Sequence, residues 1–558
     1  MNRVLGIVAW CAAAAVAAAP LVAGSASANG AAHAQVVRQQ PVQQVQQGAA
    51  RPARPGLPGG FKHLVVIYEE NHSFDNLYGG WGSVNGQRVN GRSRATAAHT
   101  TQVAQNGTRY SCLLQVDVNL TSPPQPADCA DSAHAVTSHF ANKPFAIDRY
   151  IKPADTTCPP PGVFAPNGVA KGSVGAEPGG CTRDIVHRFY QEQYQIHGGR
   201  QNRYTTGSDA VGLTQGFYKT RELPIYKYLH RKGAPKYVVA DRFFQAAFGG
   251  SFLNHQWLIA ARTPLDTSHG ARGAVSSVLD SNGMVTKYPL YTPTGPVTDG
   301  ALTRKCNDPA QMRYRSACGD FAVNTVQPSS PPAAPAPAAR IPLINDKRFP
   351  NIGDRLTKAG ISWKWYSGGW REASAGKPGP LFQYHHQPFN YFANYAPGKP
   401  GRTHLKDERR FITAARTGHL PTVSFVKPYG AENEHPGYAS EPNGSNHLVD
   451  LLKTITNGPD ARKTLVVVTY DEFGGQWDHV SPPAAGAKRG THDKWGPGTR
   501  IPALVIGRSL RRSGVDHTPY DTTSILATIE RSFGLAPLSS RDRAVNDLSH
   551  AVATGGRR

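Results

Sequence analysis

Acidic residues are scarce in this chain: 38 Asp and Glu stand against 61 Lys and Arg in 558 residues, a formal charge of +23. Such a balance favours anionic partners, among them phosphate esters, anionic lipid and nucleic acid, although charge also serves simply to keep a protein soluble. Basic runs and nucleic-acid motifs are missing, which argues against the last of these partners. No C-x-x-C occurs, so a thiolate zinc site or a thiol-redox motif has no support. No internal repeat is visible, which leaves no basis for a solenoid or propeller.

What is present points to a folded, loop-rich enzyme-sized chain. Hydrophobic residues make up 39% and there are 8 Trp, enough for a sizeable core in one large domain or two to three smaller ones. The 57 Gly and 45 Pro predict long irregular connections. Residues 1–28 read as an export signal: Asn2-Arg3, an Ala-rich apolar run from Val4 to Val22, then Ala26-Ser27-Ala28 as a cleavage site. The run approaches the length of a membrane span, but alanine is weakly hydrophobic. A periplasmic or secreted protein with no stable membrane anchor after cleavage is expected. Residues 29–60, rich in Gln, Ala and Pro, are expected to be a disordered linker. Six cysteines follow the leader, and 112–129, 158–181 and 306–318 is their simplest pairing.

Short β-branched runs predict buried strands at 63–68, 237–240, 422–427, 464–470 and 501–507. Helices are expected over Arg183–Gln195, Ser251–Arg262, His447–Asn457 and Thr522–Phe533. Apolar strands interspersed with helices predict an α/β sandwich with a mostly parallel central sheet. Segments of about 90–180 and 265–345 then become disulfide-stapled insertions, the second containing the low-complexity stretch Gln327–Pro342.

Ligands gather at the carboxyl ends of parallel strands, and here those ends are polar. "HLVVIY" continues into Glu69-Glu70-Asn71-His72, and "TLVVVTY" into Asp471-Glu472 with Asp478 and His479 beyond. "TVSFVKP" leads to Glu434 and His435. One such end is an ordinary solvated edge; three together suit oxygen ligands for a divalent cation. In "FFQAAFGGSFLNHQWLIAAR" a double glycine precedes Ser251 at a helix start, with Asn254 and His255 on the same face. Ser251 is there either a plain N-cap or a hydroxyl activated by helix-start amides and a metal. His385 and His386 in "LFQYHHQPFNYF", and His187 on an expected helix, are either structural or exposed, as a lone histidine more often is, or donors for a phosphoryl group and acids for a leaving group.

The stretches "EENHSFDNLYGGW", "FGGSFLNHQ", "YHHQPFNYF", "NEHPG" and "TYDEFGGQWDHVSPP" resemble the bacterial phosphoesterase family that unites acid phosphatase A with the non-haemolytic phospholipases C, related to the alkaline-phosphatase superfamily. The resemblance runs in order over residues 61–549 and implies an alkaline-phosphatase-like catalytic domain there, with 550–558 as a tail. It implies one divalent metal ion, of unknown identity, held by Glu70, Asn71, Asp471 and Glu472, with Ser251 as the nucleophile that also binds it. His386 and His435 match phosphate-site histidines, and His187 and His479 match through stretches blurred by insertions. Asn254, His255 and His385 join Asn71 as expected substrate-binding residues. "GGSFLNH" resembles the acid phosphatase branch, whereas a threonine-containing "GPTFPNR" segment marks the phospholipases. A phosphomonoester is the expected substrate, and phosphatidylcholine-type lipid the alternative.

Overall fold

The computed structural model describes residues 56–104, 106–113, 129–131, 136–137, 140–149, 184–208, 211–264, 343–484, 488 and 490–556. These fall within one compact unit, Pro52–Arg558. The expected export signal, most of the linker, the 265–342 insertion and the cysteines at 158, 181, 306 and 318 lie outside the described residues. The remaining pair, Cys112–Cys129, is a disulfide.

An eight-stranded sheet organises the unit. Its strands are β1 (His63–Glu69), β2 (Lys236–Ala240), β3 (Trp363–Ser367), β4 (Leu405–Asp407), β5 (Val423–Lys427), β6 (Thr464–Tyr470), β7 (Ala503–Gly507) and β8 (Gly514–Asp516), in the order β4-β3-β5-β1-β6-β7-β2-β8. β7 runs antiparallel to both its neighbours and every other pair is parallel. All seven residues of β6 are buried, as are those of β5 and β7, so helices or loops cover both faces of the sheet centre. That coverage explains why these strands read as continuous apolar runs rather than alternating ones. The expected α/β sandwich with a mostly parallel sheet is the observed architecture.

Four helices matter for the site: α1 (Phe189–Ile196), α2 (Ser251–Ala260), α3 (Glu441–Asn457) and α4 (Thr523–Phe533). Two depart from expectation. α1 begins only at Phe189, and residues 184–188 are non-helical, so His187 sits on a strap that precedes the helix rather than on it. α3 starts six residues before His447, because Ser440 accepts the Asn443 amide and a proline occupies the first turn. The stretch expected as a tail is helical over Ser549–Gly555, with Ala551 and Val552 buried.

Candidate active site

The parallel register assembles the first half of the site. β1 pairs with β6 so that Glu69 lies opposite Tyr470, and the Asp471 amide donates to the Glu69 carbonyl at 3.1 Å. Glu70-Asn71 and Asp471-Glu472 therefore leave two adjacent strands side by side. The chain then turns at Asn71, whose φ of +58° is a left-handed conformation that Asn tolerates better than most residues. The Asn71 amide donates to Asp471 Oδ1 at 3.1 Å, as does the Glu472 amide at 2.8 Å. Gly474 closes against this turn with a φ of +60°, and a Cβ there would lie 2.2 Å from the Asn71 carbonyl oxygen. No side chain fits that space.

The second half is the start of α2. Gly249 has a φ of +90°, and a Cβ on it would lie 2.7 Å from the Phe189 nitrogen. Two buried side chains fix this turn. Glu192 Oε2 accepts from the Gly249 amide at 2.6 Å, while its Oε1 accepts the Thr499 amide at 2.7 Å. Burial, the dominant effect, pushes the Glu192 carboxyl up to about 8. Gln245 donates to the Ala247 and Gly249 carbonyls and to Glu192, and accepts the Phe473 amide at 2.9 Å. One amide side chain thus ties the Ser251 turn to the backbone that carries Glu472.

As a result Ser251 Oγ stands 3.3 Å from Glu70 Oε2, 3.4 Å from Asn71 Oδ1 and 3.4 Å from Glu472 Oε1. Residues separated by 181, 180 and 221 positions meet at one hydroxyl. His435 sets the orientation of Asn71. Its Nδ1 lies 2.7 Å from the Pro436 carbonyl, which makes that nitrogen the donor and leaves Nε2 to accept from Asn71 Nδ2 at 3.0 Å. Asn71 Oδ1 is then turned toward Ser251.

Imidazoles surround this centre. His187 Nε2 is 3.2 Å from Glu472 Oε1, and His386 Nε2 is 2.8 Å from Glu70 Oε1. His255 Nδ1 lies 2.8 Å from the Ser251 carbonyl, one helical turn back, so its Nε2 faces Glu70 at 4.0 Å. The His255 and His386 rings stack at 5.5 Å, with His385 edge-on to both. Trp365 on β3 holds that turn by donating to the His386 carbonyl at 2.9 Å.

Burial dominates the titration of these groups. It pushes His255 and His385 well below the ordinary histidine range, lowers His187, and brings His386 down to about 4. Burial and the neighbouring Glu70 carboxylate raise Asp471 to about 7, and burial with Asp471 raises Glu472 well above the usual carboxylate range. Glu70 goes the other way. Burial opposes its charge, but Lys427 and then His386 outweigh that cost and hold it well below the carboxylate range.

Two expected roles are corrected by the contacts. Asn254 does not face the centre: its Oδ1 accepts the Ala247 amide and its Nδ2 reaches the Ala247, Gly249 and Gly250 carbonyls, so it braces the turn before Ser251. His479 is not brought to Ser251 either. Its Nδ1 is 2.5 Å from Asp75 Oδ2, beside Arg500, which donates to Asp478 at 3.0 Å and Asp75 at 3.2 Å. The carboxylates of Asp75 and Asp478 converge with His479 closely enough for a cation, but the Arg500 guanidinium already bridges them. That network is a buried ion cluster.

Lys427 is the largest omission of the sequence reading. It ends β5 with no exposure, donates to the Glu69 carbonyl at 3.1 Å, and its Nζ contacts Glu70 Oε1. The signal was available: a lysine closing an otherwise apolar strand must find a counter-charge when buried.

The donor set fits a divalent cation. Glu70, His255 and Asp471 present ligand atoms within 4.8 Å of one another, with Asn71, Glu472 and Ser251 Oγ beside them. Asp471 Oδ2 and His255 Nε2 are buried without a hydrogen-bond partner among the described residues. Three carboxylates, two polar amide or hydroxyl oxygens and an imidazole make a hard-to-borderline site. His255, expected as a substrate contact, stands among these ligands.

The phosphoesterase family model matches residues 61–536. The chain belongs to the phosphoesterase family. It is 24% identical over 484 residues to phospholipase C B of Mycobacterium tuberculosis, covering 76% of this chain and 78% of that protein. Non-hemolytic phospholipase C of Burkholderia pseudomallei is 29% identical over 229 residues, covering 32% of this chain and 31% of that protein. Non-specific phospholipase C6 of Arabidopsis thaliana is 27% identical over 160 residues, 24% of this chain and 30% of that one. Among solved structures, an alkaline phosphatase superfamily protein of Vibrio parahaemolyticus matches 36% of this chain and half of its own length at 11% identity, with a TM-score of 0.23. This family member is a phosphoester hydrolase.

Proposed function

We propose that the protein is an exported acid phosphatase that hydrolyses phosphomonoesters through a phosphoserine at Ser251. The observation that carries this reading is the convergence of Ser251 Oγ with Glu70, Asn71 and Glu472 at 3.3–3.4 Å. A divalent cation held by Glu70, Asn71, Asp471, Glu472 and His255 would supply positive charge that offsets the carboxylates and favours the ionised Ser251 hydroxyl.

Ser251 Oγ forms the bond to phosphorus as the ester P–O bond breaks, and the departing alkoxide takes a proton from a histidine. His435 takes that role only in its doubly protonated form, in which Nε2 carries the proton and no longer accepts from Asn71 Nδ2. His386, lowered to about 4 by burial, is a neutral hydrogen-bonding partner of the phosphoryl group rather than its acid. Lys427 and the Asn71 amide add charge and a dipole near the equatorial oxygens. Water then cleaves the phosphoserine, with His435 returning as base. Steps that need a protonated imidazole run faster toward acidic pH.

The serine in "GGSFLNH" favours the monoesterase, while the names of the relatives favour a second reading, phospholipase C activity on phosphatidylcholine-type lipid. Both use the same centre. Turnover of p-nitrophenyl phosphate against phosphatidylcholine separates them, and Ser251→Ala is expected to abolish both with the fold intact. Substantial hydrolysis by Ser251→Ala would refute the nucleophile. The export reading predicts that the protein lacks residues 1–28 when recovered from the periplasm or medium, which N-terminal sequencing checks.

A further inference from the structure

We infer a second anion-binding site at the amino ends of the sheet strands, remote from Ser251, which lies with the carboxyl ends. A cavity of about 730 Å³ opens there beside Lys236, the first residue of β2, Arg462 just before β6, and Arg508 just after the antiparallel β7. Arg231 and Lys232 complete five cationic residues lining it, and among the described residues none that lines it is Asp or Glu. Its volume is in the range of small-molecule sites, roughly 300–1,000 Å³.

Basic residues gather at this end of an α/β fold for an ordinary reason, to satisfy helix carboxyl termini. Two of the five do so or are otherwise engaged. Arg508 Nε donates to the Thr456 carbonyl at 3.0 Å and Nη2 to Asn457 Oδ1 at 3.2 Å, closing the end of α3. The Arg231 guanidinium lies 4.3 Å over the Tyr228 ring. The other three, Lys232, Lys236 and Arg462, make no side-chain hydrogen bond or ion pair among the described residues. Some exposed cations elsewhere find carboxylates, as Lys219 does with Glu222 at 3.2 Å and Arg531 with Asp547 at 2.9 Å, while others such as Arg88 and Arg416 have none among the described residues, so the feature of this site is the grouping of its cations around one cavity. Three cations without a partner among the described residues line one concavity with no carboxylate to offset them. A ligand bearing two or more negative charges offsets them.

The ligand class is therefore a multiply charged phosphate group, either a soluble polyphosphate or the headgroup of an anionic phospholipid. This site is independent of the hydrolytic reading. The probe is pyrophosphate, titrated calorimetrically into full-length Ser251→Ala protein so that nothing is turned over, beside the same protein carrying Lys232→Ala, Lys236→Ala and Arg462→Ala. These three side chains are exposed, so the triple variant folds. One class of pyrophosphate sites is expected to weaken at least tenfold in the triple variant, while ester hydrolysis by the triple variant with Ser251 restored stays within twofold of the parent. Sedimentation with phosphatidylglycerol vesicles distinguishes the sources. Loss of vesicle binding in the triple variant identifies a lipid headgroup, and loss of pyrophosphate binding alone identifies a soluble phosphate. Unchanged pyrophosphate titrations together with unchanged vesicle binding overturn the proposal.

Discussion

Replacing Lys427 by Met removes one charge from the base of the site and keeps the length of the aliphatic stem. In the structure Lys427 and Glu70 are both fully buried and in contact, and Asp471 and Glu472 stand nearby. Breaking a buried pair by deleting one partner costs about 3–5 kcal/mol, because the remaining charge is left uncompensated. That cost applies in full when no divalent ion is bound. With the ion in place Glu70 has a second counter-charge, and the loss should shrink to about 1–2 kcal/mol, the worth of the ammonium's hydrogen bond to the Glu69 carbonyl and its packing. By the thermodynamic cycle linking folding to binding, the difference of about 2–3 kcal/mol must appear as tighter ion binding, roughly 30- to 150-fold. Urea unfolding with and without Mn²⁺ and calorimetric Mn²⁺ titration of chelator-treated protein measure the two sides of the cycle. A folded Lys427→Met protein that binds Mn²⁺ no more tightly than the parent would refute the claim that Lys427 shares Glu70 with a cation.

Gly474→Ala places a methyl in the left-handed region and against the Asn71 carbonyl. It should cost about 1–2 kcal/mol of backbone strain plus about 1–3 kcal/mol of overpacking. By moving Asn71 it should also lower kcat about 100-fold, read in the same urea and steady-state assays. Gln245→Ala leaves the buried Phe473 amide without its acceptor, a cost of about 1–3 kcal/mol. It should lower kcat more than it raises KM, and Gln245→Glu, which keeps the acceptor but loses the donor to Glu192 and two carbonyls, should not restore it. Glu530 is 2% exposed, and burial followed by Asp542 raises its carboxyl to about 9. An acid raised in the fold stabilises below its unfolded value and loses that contribution as pH climbs through the folded one. Urea stability should therefore fall between about pH 5 and pH 9, and Glu530→Gln should flatten that slope.

The parts legible in sequence were those governed by local pattern. β1, β5, β6 and β7 announced themselves as β-branched runs because both their faces are buried. The double glycine before Ser251 marked a turn that only glycine can make. Glu70, Asn71, Asp471 and Glu472 were legible because a parallel strand delivers whatever follows it to the same edge. Strand β3, "WKWYS", was missed because its lysine and serine interrupt the apolar run. β4 and β8, three residues each, were too short to carry a period. His187 was placed on a helix because "FYQEQYQI" is helical, yet nothing local says that the helix stops short of it.

The sequence alone thus determined which chemistry was available: an oxygen-rich ligand set, one serine at a helix start and several imidazoles. Tertiary structure decided which of them meet. The i+3 spacing of Asn254 from Ser251 was correct, yet its amide turned back to the preceding loop, where four backbone groups awaited partners. His479 had the right neighbours in sequence, but Arg500, arriving from 21 residues farther along, drew its cluster into a separate network. Lys427 acquired its role only when β5 came to lie beside β1. Hydrogen-bond satisfaction and charge pairing inside a dry core are settled by contacts between distant segments, and no local window contains both partners.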